Sequence, residues 1–421
     1  MLLGVIADDL TGATDVALML AREGMRVVQT VGVPEKGAKL PDADAVVVSL
    51  KSRTNPPEEA IAWSLQACEA LLAAGAKQIL FKYCSTFDST DKGNIGPVTD
   101  ALMTRLGARY TVACPAFPAN GRSVFQGHLF VGAMLLSDSP MKDHPLTPMR
   151  ESNLVKVLAP QTKLPVGIVP FATVEKGAEA VRTAFEALAE KGPAIAVADA
   201  VTNEHLRILG AALADAPLLT GGSGIALGLP ENFRKAGLLK SRTEAHAFHA
   251  PQGSTAILAG SCSAATRGQV QDAISKGVEA YAIDPVALAE KRISAQSILD
   301  WAKPKLGAKP ILIYSTAEPE QVRAIQERFG RDEAGAMVEH CLGDIAKGLT
   351  ASGVTRLVVA GGETSGAVVG ALGVSLLEIG PEIDPGVPWT LAADGKRIAL
   401  ALKSGNFGTP DFFTKSLAML G

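Results

Sequence analysis

MLLGVIADDLTGATDVALMLAREGMRVVQTV, residues 1–31, opens the chain. Its apolar run at 2–7 predicts a strand, the Ala- and Leu-rich stretch at 14–23 predicts an amphipathic helix, and the run at 27–31 predicts a second strand. A strand, a covering helix and another strand are typical of a parallel sheet. The opening segment therefore predicts an α/β fold.

The same alternation continues along all 421 residues. Further strands are predicted at 45–50, 78–84, 110–114, 166–169, 194–199, 255–260, 279–283, 310–315, 356–360, 375–379 and 398–403, and helices at 57–73, 97–106 and 175–190. The stretch KSRTEAHAFHAPQGS at 240–254 is polar and has neither period. We therefore expect two domains, 1–240 and 255–421, joined by a linker at 241–254, each with a mostly parallel sheet flanked by helices.

Composition excludes several classes of protein. The net charge of −3 gives no basic field for nucleic acid or an anionic membrane. The first residues lack a basic segment, two aspartates follow after seven residues, and no apolar run has membrane-spanning length, so a cytoplasmic protein is expected. Five scattered cysteines without a C-x-x-C pair indicate neither a disulfide framework nor a zinc site.

Polar residues follow the predicted N-terminal strands, where parallel α/β sheets bind their ligands. Asp8 and Asp9 follow the first strand. Because neighbouring residues of an extended chain point to opposite sides, one aspartate would face a ligand while the other, or Thr11, caps the next helix. The alternative is that both are residues of the helix start, which favours acids.

Three cations in the same half predict a pocket for a small anion. Lys82 interrupts an apolar strand, where a lysine is costly without an anionic partner, and a run of hydroxyls and acids from Ser85 through Asp88 follows it. Arg53 follows the third strand, and Arg122 ends a Pro- and Asn-Gly-rich loop. The alternatives are a lysine that extends its ammonium to solvent and an ordinary exposed loop arginine.

The second half has glycine and small hydroxyl residues after three predicted strands. They are GSCS at 260–263, GGETSG at 361–366 and KSGNFG at 403–408. Glycine admits an oxyanion close to backbone amides, and a helix N-terminus adds unpaired donors, so three such turns favour nucleotide binding over purely structural turns. Neither G-x-x-x-x-G-K-[ST] nor a G-x-G-x-x-G after a strand occurs, which disfavours ordinary P-loop enzymes and dinucleotide dehydrogenases.

These segments resemble the four-carbon acid sugar kinase family, most closely its branch that acts on 3-oxo-tetronates. The similar stretches are ADDLTGA at 7–13, FKYCSTFDST at 81–90, GNIGP at 93–97, NGR at 120–122, GGETSG at 361–366, PGVPW at 385–389 and KSGNFG at 403–408. The longer CSTFDSTDKG at 84–93 matches the oxo-acid branch rather than the threonate and erythronate kinases.

The resemblance implies an acid-sugar-binding N-terminal domain, an ATP-binding C-terminal domain and a reaction in the cleft between them. It implies that ATP is contacted by Ser261, Gly361, Gly362, Glu363, Thr364 and Gly405. The motifs of the acid-sugar domain contain Asp8, Asp9, Lys82, Asp88, Ser85 and Arg122, and we add Arg53.

We therefore expect an enzyme that uses ATP and Mg²⁺ to phosphorylate the C4 hydroxyl of a small sugar acid. Arg53, Lys82 and Arg122 would hold the substrate, and Asp9, or else Asp8 or Asp88, would accept the hydroxyl proton. No residue is assigned as a metal ligand. A threonate or erythronate kinase, a non-catalytic sugar-acid sensor, and a homo-oligomer as well as a monomer remain open.

Overall fold

The computed structural model describes residues 1–37, 39–144, 146–240, 248–307, 309–316 and 330–420. The chain divides into two compact units, Met1–Ala245 and His246–Gly421. The first half of the expected linker, 241–247, lies outside the described residues, while 248–253 contain neither helix nor strand.

The N-terminal unit contains eleven described strands. They are β1 Leu3–Ala7, β2 Val27–Val31, β3 Ala45–Ser49, β4 Gln78–Lys82, β5 Tyr110–Cys114, β6 Arg122–Phe125, β7 His128–Val131, β8 Met134–Leu135, β9 Val166–Val169, β10 Ala194–Ala198 and β11 Leu218–Gly221. Eight form a fully parallel sheet in the order β2-β3-β1-β4-β11-β5-β10-β9. The other three, β6 to β8, form a separate antiparallel sheet.

Eight α-helices accompany these strands in the described part of the unit. They are α1 Leu10–Arg22, α2 Pro57–Ala73, α3 Ile95–Leu106, α4 Leu154–Leu158, α5 Phe171–Val174, α6 Ala178–Leu188, α7 Asn203–Ala212 and α8 Leu229–Lys235. Every residue of β1, β4 and β10 is buried, because a parallel sheet covered by helices hides both faces of its central strands.

The C-terminal unit has a mixed sheet. Its strands are β12 Ser254–Ala259, β13 Glu279–Ala282, β14 Ile311–Tyr314, β15 Val354–Ala360, β16 Leu376–Asp384, β17 Val387–Ala392 and β18 Ala399–Lys403. Strands β13-β14-β12-β15-β18 are parallel in that order, and β17 and β16 continue the sheet antiparallel. The described helices are α9 Ala264–Ser275, α10 Pro285–Ala289, α11 Ala295–Ala302, α12 Arg331–Ala351, α13 Gly362–Ala371 and α14 Phe412–Ala418.

Trp389 shows how the PGVPW stretch contributes to this unit. Its side chain is fully buried in the core, and its indole N–H donates to the Ser416 carbonyl at 3.1 Å. The stretch therefore supplies packing for β17 and anchors α14.

The predicted α/β architecture of mostly parallel sheets is confirmed. Several details differ. The hairpin sheet of β6 to β8, β11 and β17 were not predicted, α1 begins at Leu10 rather than residue 14, and α3 begins at Ile95 rather than Pro97. Pro97 still occupies the first turn of α3, where a missing amide hydrogen costs little.

Candidate active site

Three neighbouring strands bring together four of the charged residues that the sequence predicts for the site of the N-terminal unit. β1 lies between β3 and β4 and is parallel to both. Asp8 and Asp9 follow β1, Arg53 follows β3, and Lys82 ends β4. The carboxyl ends of these strands meet at one edge of the sheet, so residues far apart in sequence become neighbours.

The Arg53 guanidinium is held by three carboxylates. It donates to both oxygens of Asp8, at 2.9 Å from Nε and 2.8 Å from Nη2, and Nη2 also donates to Asp9 Oδ1 at 2.6 Å. The Oδ2 atom of Asp88 lies 3.7 Å from Arg53 Nη1. Substrate binding by Arg53 stays a prediction, but its charge is already balanced by the protein.

Asp9 both caps a helix and belongs to this charged cluster. It is the N-cap of α1, where its Oδ1 accepts from the Gly12 amide at 3.2 Å and its Oδ2 accepts from the Thr11 hydroxyl at 2.8 Å. Asp8 is not a cap, because both of its oxygens bind Arg53. Asp9 therefore has the capping role that the sequence allowed for one of the two aspartates, and Asp8 does not.

The two aspartates have opposite pKa shifts. Burial raises the pKa of Asp8 and outweighs the lowering effect of Arg53. Burial also acts on Asp9, but the charges of Arg53 and Lys82 and the hydrogen bonds from Thr11 and Gly12 outweigh it and lower its pKa to about 2. Asp9 is therefore ionised at neutral pH and is a weak proton acceptor.

Lys82 is the second cation of the cluster, and only 3% of its surface is exposed. Its Nζ lies against the first turn of α1, because a Cβ placed on Gly12 would collide with both Lys82 Nζ and Asp9 Oδ1. Within the described residues, the ammonium makes no hydrogen bond or ion pair. A buried ammonium without a bonded partner is costly, which favours an anionic ligand here.

The loop after β4 has a strained backbone. Phe87 and Asp88 adopt positive φ values of 66° and 43°, which are uncommon for residues with a side chain. The Thr86 hydroxyl donates to Asp88 Oδ1 at 2.7 Å, and Ser85 is buried just before it. These contacts hold the Asp88 carboxylate toward Arg53.

Asn94 was not predicted as a site residue, yet it fixes the Arg53 loop. Its side-chain Nδ2 donates to the backbone carbonyls of Ser52 at 2.8 Å, Arg53 at 3.2 Å and Asn55 at 2.8 Å. Asn94 is also the N-cap position of α3. The GNIGP stretch therefore positions Arg53 through its backbone.

Arg122 follows β5, a strand that is not adjacent to β4. It begins β6, after the loop that follows β5, and β5 is separated from β4 by β11 in the sheet. Its Nη1 donates to the Asn120 carbonyl. The hairpin that starts with Arg122 is held at its turn by Asp199, whose carboxylate accepts from the amides of Gln126 at 2.7 Å and Gly127 at 2.9 Å.

In the C-terminal unit, too, the predicted site residues follow adjacent strands. β15 lies between β12 and β18, and the three predicted glycine and hydroxyl turns follow these three adjacent strands. Ser261, in the first of these turns, lies close to the other two turns. A Cβ on Gly361 would lie 3.3 Å from Ser261 Cβ, and one on Gly405 would lie 2.5 Å from Ser261 Oγ. The ATP-contacting residues implied by the resemblance therefore lie around one point.

Gly361 has a conformation that few other residues adopt. It is the N-cap of α13 with φ of 127°, and its missing side chain provides no cap for the amides of the first turn. Gly362, Glu363 and Thr364 form that turn, whose N–H groups point toward the helix start. The turn fits a phosphate group, which such a terminus binds through its amides and dipole.

Metal ligation is less clearly indicated. Glu363 is exposed in the first turn of α13. Across the described ranges, no three His, Cys, Asp or Glu side chains cluster as a metal site. None of the helices in these ranges could span a membrane.

Family models match both units. Residues 3–229 match the model of a sugar-binding N-terminal domain, and 256–413 match that of a nucleotide-binding C-terminal domain. The chain thus combines the two domain types that these family models describe, sugar-binding and nucleotide-binding. The chain belongs to the four-carbon acid sugar kinase family.

Relatives and solved structures agree with this assignment. The chain is 55% identical over 421 residues to a 3-oxo-tetronate kinase of Pseudomonas fluorescens, covering 100% of this chain and 97% of that protein. It is 54% identical over 422 residues to one of Cupriavidus necator, with the same coverage. A solved structure from Haemophilus influenzae has 44% identity and a TM-score of 0.77, covering 99% of this chain and 100% of that chain.

Proposed function

We propose that this chain is an ATP-dependent kinase that phosphorylates the C4 hydroxyl of a 3-oxo-tetronate. The observation that carries the proposal is its full-length similarity to relatives named 3-oxo-tetronate kinase. The site chemistry supports it, because a charged cluster lies in the unit that matches a sugar-binding model and glycine turns lie in the unit that matches a nucleotide-binding model.

The substrate carboxylate would bind Lys82, the buried cation without a bonded partner among the described residues. Arg122 is proposed as a second contact, and Ser85 as a hydroxyl partner. Arg53 would act mainly by holding Asp8 and Asp9 in place. The cluster holds three carboxylates against the two cations Arg53 and Lys82, so binding of an anion would depend on a direct contact with Lys82.

The proton of the attacking hydroxyl needs an acceptor. Both oxygens of Asp8 accept from Arg53, and both oxygens of Asp9 accept from Arg53, Thr11 or Gly12. Among the described residues, Asp88 Oδ2 has only the longer 3.7 Å contact with Arg53. We therefore place Asp88 ahead of Asp9 and Asp8 as the proton acceptor.

The amides of the Gly361–Thr364 turn would bind phosphate oxygens, with Ser261 and Gly405 beside them. ATP supplies the phosphoryl group, and Mg²⁺ neutralises its charge. Since the described side chains form no metal cluster, we propose that Mg²⁺ is held chiefly by phosphate oxygens and water.

The direct test is an enzyme assay. Purified protein with Mg²⁺, ATP and a 3-oxo-tetronate should form ADP and a 4-phosphorylated product, identified by mass spectrometry and NMR. Threonate and erythronate serve as competing substrates, and a higher kcat/KM for either would replace the oxo acid as the preferred substrate. Absence of ADP formation with every four-carbon acid would refute the kinase.

Lys82→Met should lower kcat/KM for the sugar acid about 10- to 100-fold, because a charge-assisted hydrogen bond worth about 1.5–3 kcal/mol is lost. The KM for ATP should stay nearly constant, since Lys82 lies in the other unit. Steady-state kinetics with each substrate varied in turn measures both values.

Lys92→Met is the matched control, because Lys92 is an exposed lysine of the loop that follows β4. It should keep wild-type kinetics. Equal losses in the Lys82 and Lys92 variants would indicate a general charge effect rather than a contact with the substrate.

A further inference from the structure

We propose that Lys403 is a positioning residue of the nucleotide site, whose buried ammonium turns the backbone amides of Gly405 and Asn406 toward a phosphate oxygen. The inference rests on the proposed binding of ATP to the C-terminal unit. Lys403 is the last residue of β18 and is completely buried.

The Lys403 ammonium has three oxygen acceptors. Its Nζ donates to the carbonyls of Ser404 and Gly405, each at 2.9 Å, and to Thr266 Oγ1 at 3.1 Å. Three acceptors match the three N–H groups of an ammonium. Burial lowers the pKa of Lys403 to about 7, so a lysine here is costly and its value lies in these bonds.

The Gly405 carbonyl is held by two further donors. Ser263 Oγ donates to it at 2.6 Å and Thr266 Oγ1 at 2.9 Å. In the trans peptide that Gly405 shares with Asn406, the N–H points opposite to the C=O. Fixing the carbonyl toward Lys403 therefore directs the Asn406 amide away from it.

The peptide between Ser404 and Gly405 is oriented in the same way. Because the Ser404 carbonyl also faces Lys403, the Gly405 amide points away from the ammonium. In the described part of the chain, neither the Gly405 nor the Asn406 amide donates to a protein acceptor. Two consecutive amides with a common outward direction form a concave anion site.

This pair of amides lies at the nucleotide site. A Cβ on Gly405 would come within 2.5 Å of Ser261 Oγ, and Ser261 also borders the Gly361 turn. The outward amides and the N-terminus of α13 are thus within reach of one polyphosphate chain. Lys403 would not touch the nucleotide, because it lies behind the peptides that it orients.

The test is Lys403→Met, which keeps the length of the side chain and removes its donors. Calorimetry should show ATP affinity about 10- to 50-fold weaker, as expected when oriented donors to a charged group are lost. In kinetics, the KM for ATP should rise while the KM for the sugar acid stays within about twofold. Thr266→Val, a milder change to the same network, should give a smaller loss in the same direction.

Val358→Ala is the matched control for lost stability, because Val358 lies in the core of the same unit and is fully buried. It should lower the melting temperature but retain ATP affinity. Lys403→Met with wild-type ATP affinity, or an equal affinity loss in Val358→Ala, would overturn the positioning role. If Lys403→Met does not fold, Thr266→Val with unchanged ATP affinity overturns it. Wild-type protein that fails to bind ATP would instead refute the proposed function itself.

Discussion

Arg53→Met should lower the free energy of unfolding of the N-terminal unit by about 3 kcal/mol. The substitution leaves Asp8, Asp9 and Asp88 without the cation that they share, and Asp8 is almost completely buried. Urea unfolding measures the change. Hydrogen exchange in peptides covering β1 and β4 should locate it at the strand ends of the cluster.

Arg105→Met is the matched control, because it removes an ion pair with Glu69 in which both side chains are largely exposed. That change should cost less than about 1 kcal/mol. Adding Asp8→Asn to Arg53→Met should recover part of the loss, since it removes one uncompensated carboxylate. Unchanged stability in Arg53→Met, together with a raised sugar-acid KM, would instead support the direct substrate contact predicted from the sequence.

Much of the fold could be predicted because buried parallel strands are apolar on both faces. β2, β5 and β9 begin and end where the sequence predicts, and β1 and β12 are shifted by one residue at one or both ends. β11 was missed because its last two residues are Thr and Gly and glycine is depleted in strands, although it is as long as β9. β17 was missed because Pro388 disfavours a strand, and the structure accommodates it beside a register shift against β16.

The site was predicted only in part, because strand order is not contained in local sequence. The residues after the strands were recognised, but the order β3-β1-β4 decides that Arg53 meets Asp8 and Asp9. Without that order, Arg53 was taken as a cation for the substrate. The structure adds its bidentate bond to Asp8, and contact of Arg53 with the substrate stays a prediction.

Asn94 and Lys403 were missed because both bind backbone carbonyls rather than side chains. Asn94 binds carbonyls of the Arg53 loop, and Lys403 binds carbonyls of the turn that follows it. Asn94 leaves no local sequence signal for such a role. Lys403 does leave one, since it ends an apolar strand just as Lys82 does. A buried lysine at a strand end therefore indicates either a ligand or a backbone turn that must be held.

Gly361→Ala should weaken ATP binding about 100-fold or more. The φ of 127° at this position is nearly restricted to glycine, and a non-glycine residue held there costs about 1–3 kcal/mol. The added Cβ would also lie 2.7 Å from Thr364 Oγ1 and 3.3 Å from Ser261 Cβ. The strained turn would shift, and the first amides of α13 would lose their common direction toward the phosphates. Calorimetry with ATP measures the loss.

Gly370→Ala tests whether this loss belongs to the turn. Gly370 lies in α13 as well, but a Cβ there meets no atom of a described residue within 4 Å, and alanine favours a helix over glycine by about 1 kcal/mol. This variant should therefore bind ATP normally and melt at the same or a higher temperature. If Gly361→Ala also binds ATP normally, the phosphates do not bind at the start of α13, and the Ser261 and Gly405 turns would have to hold them alone.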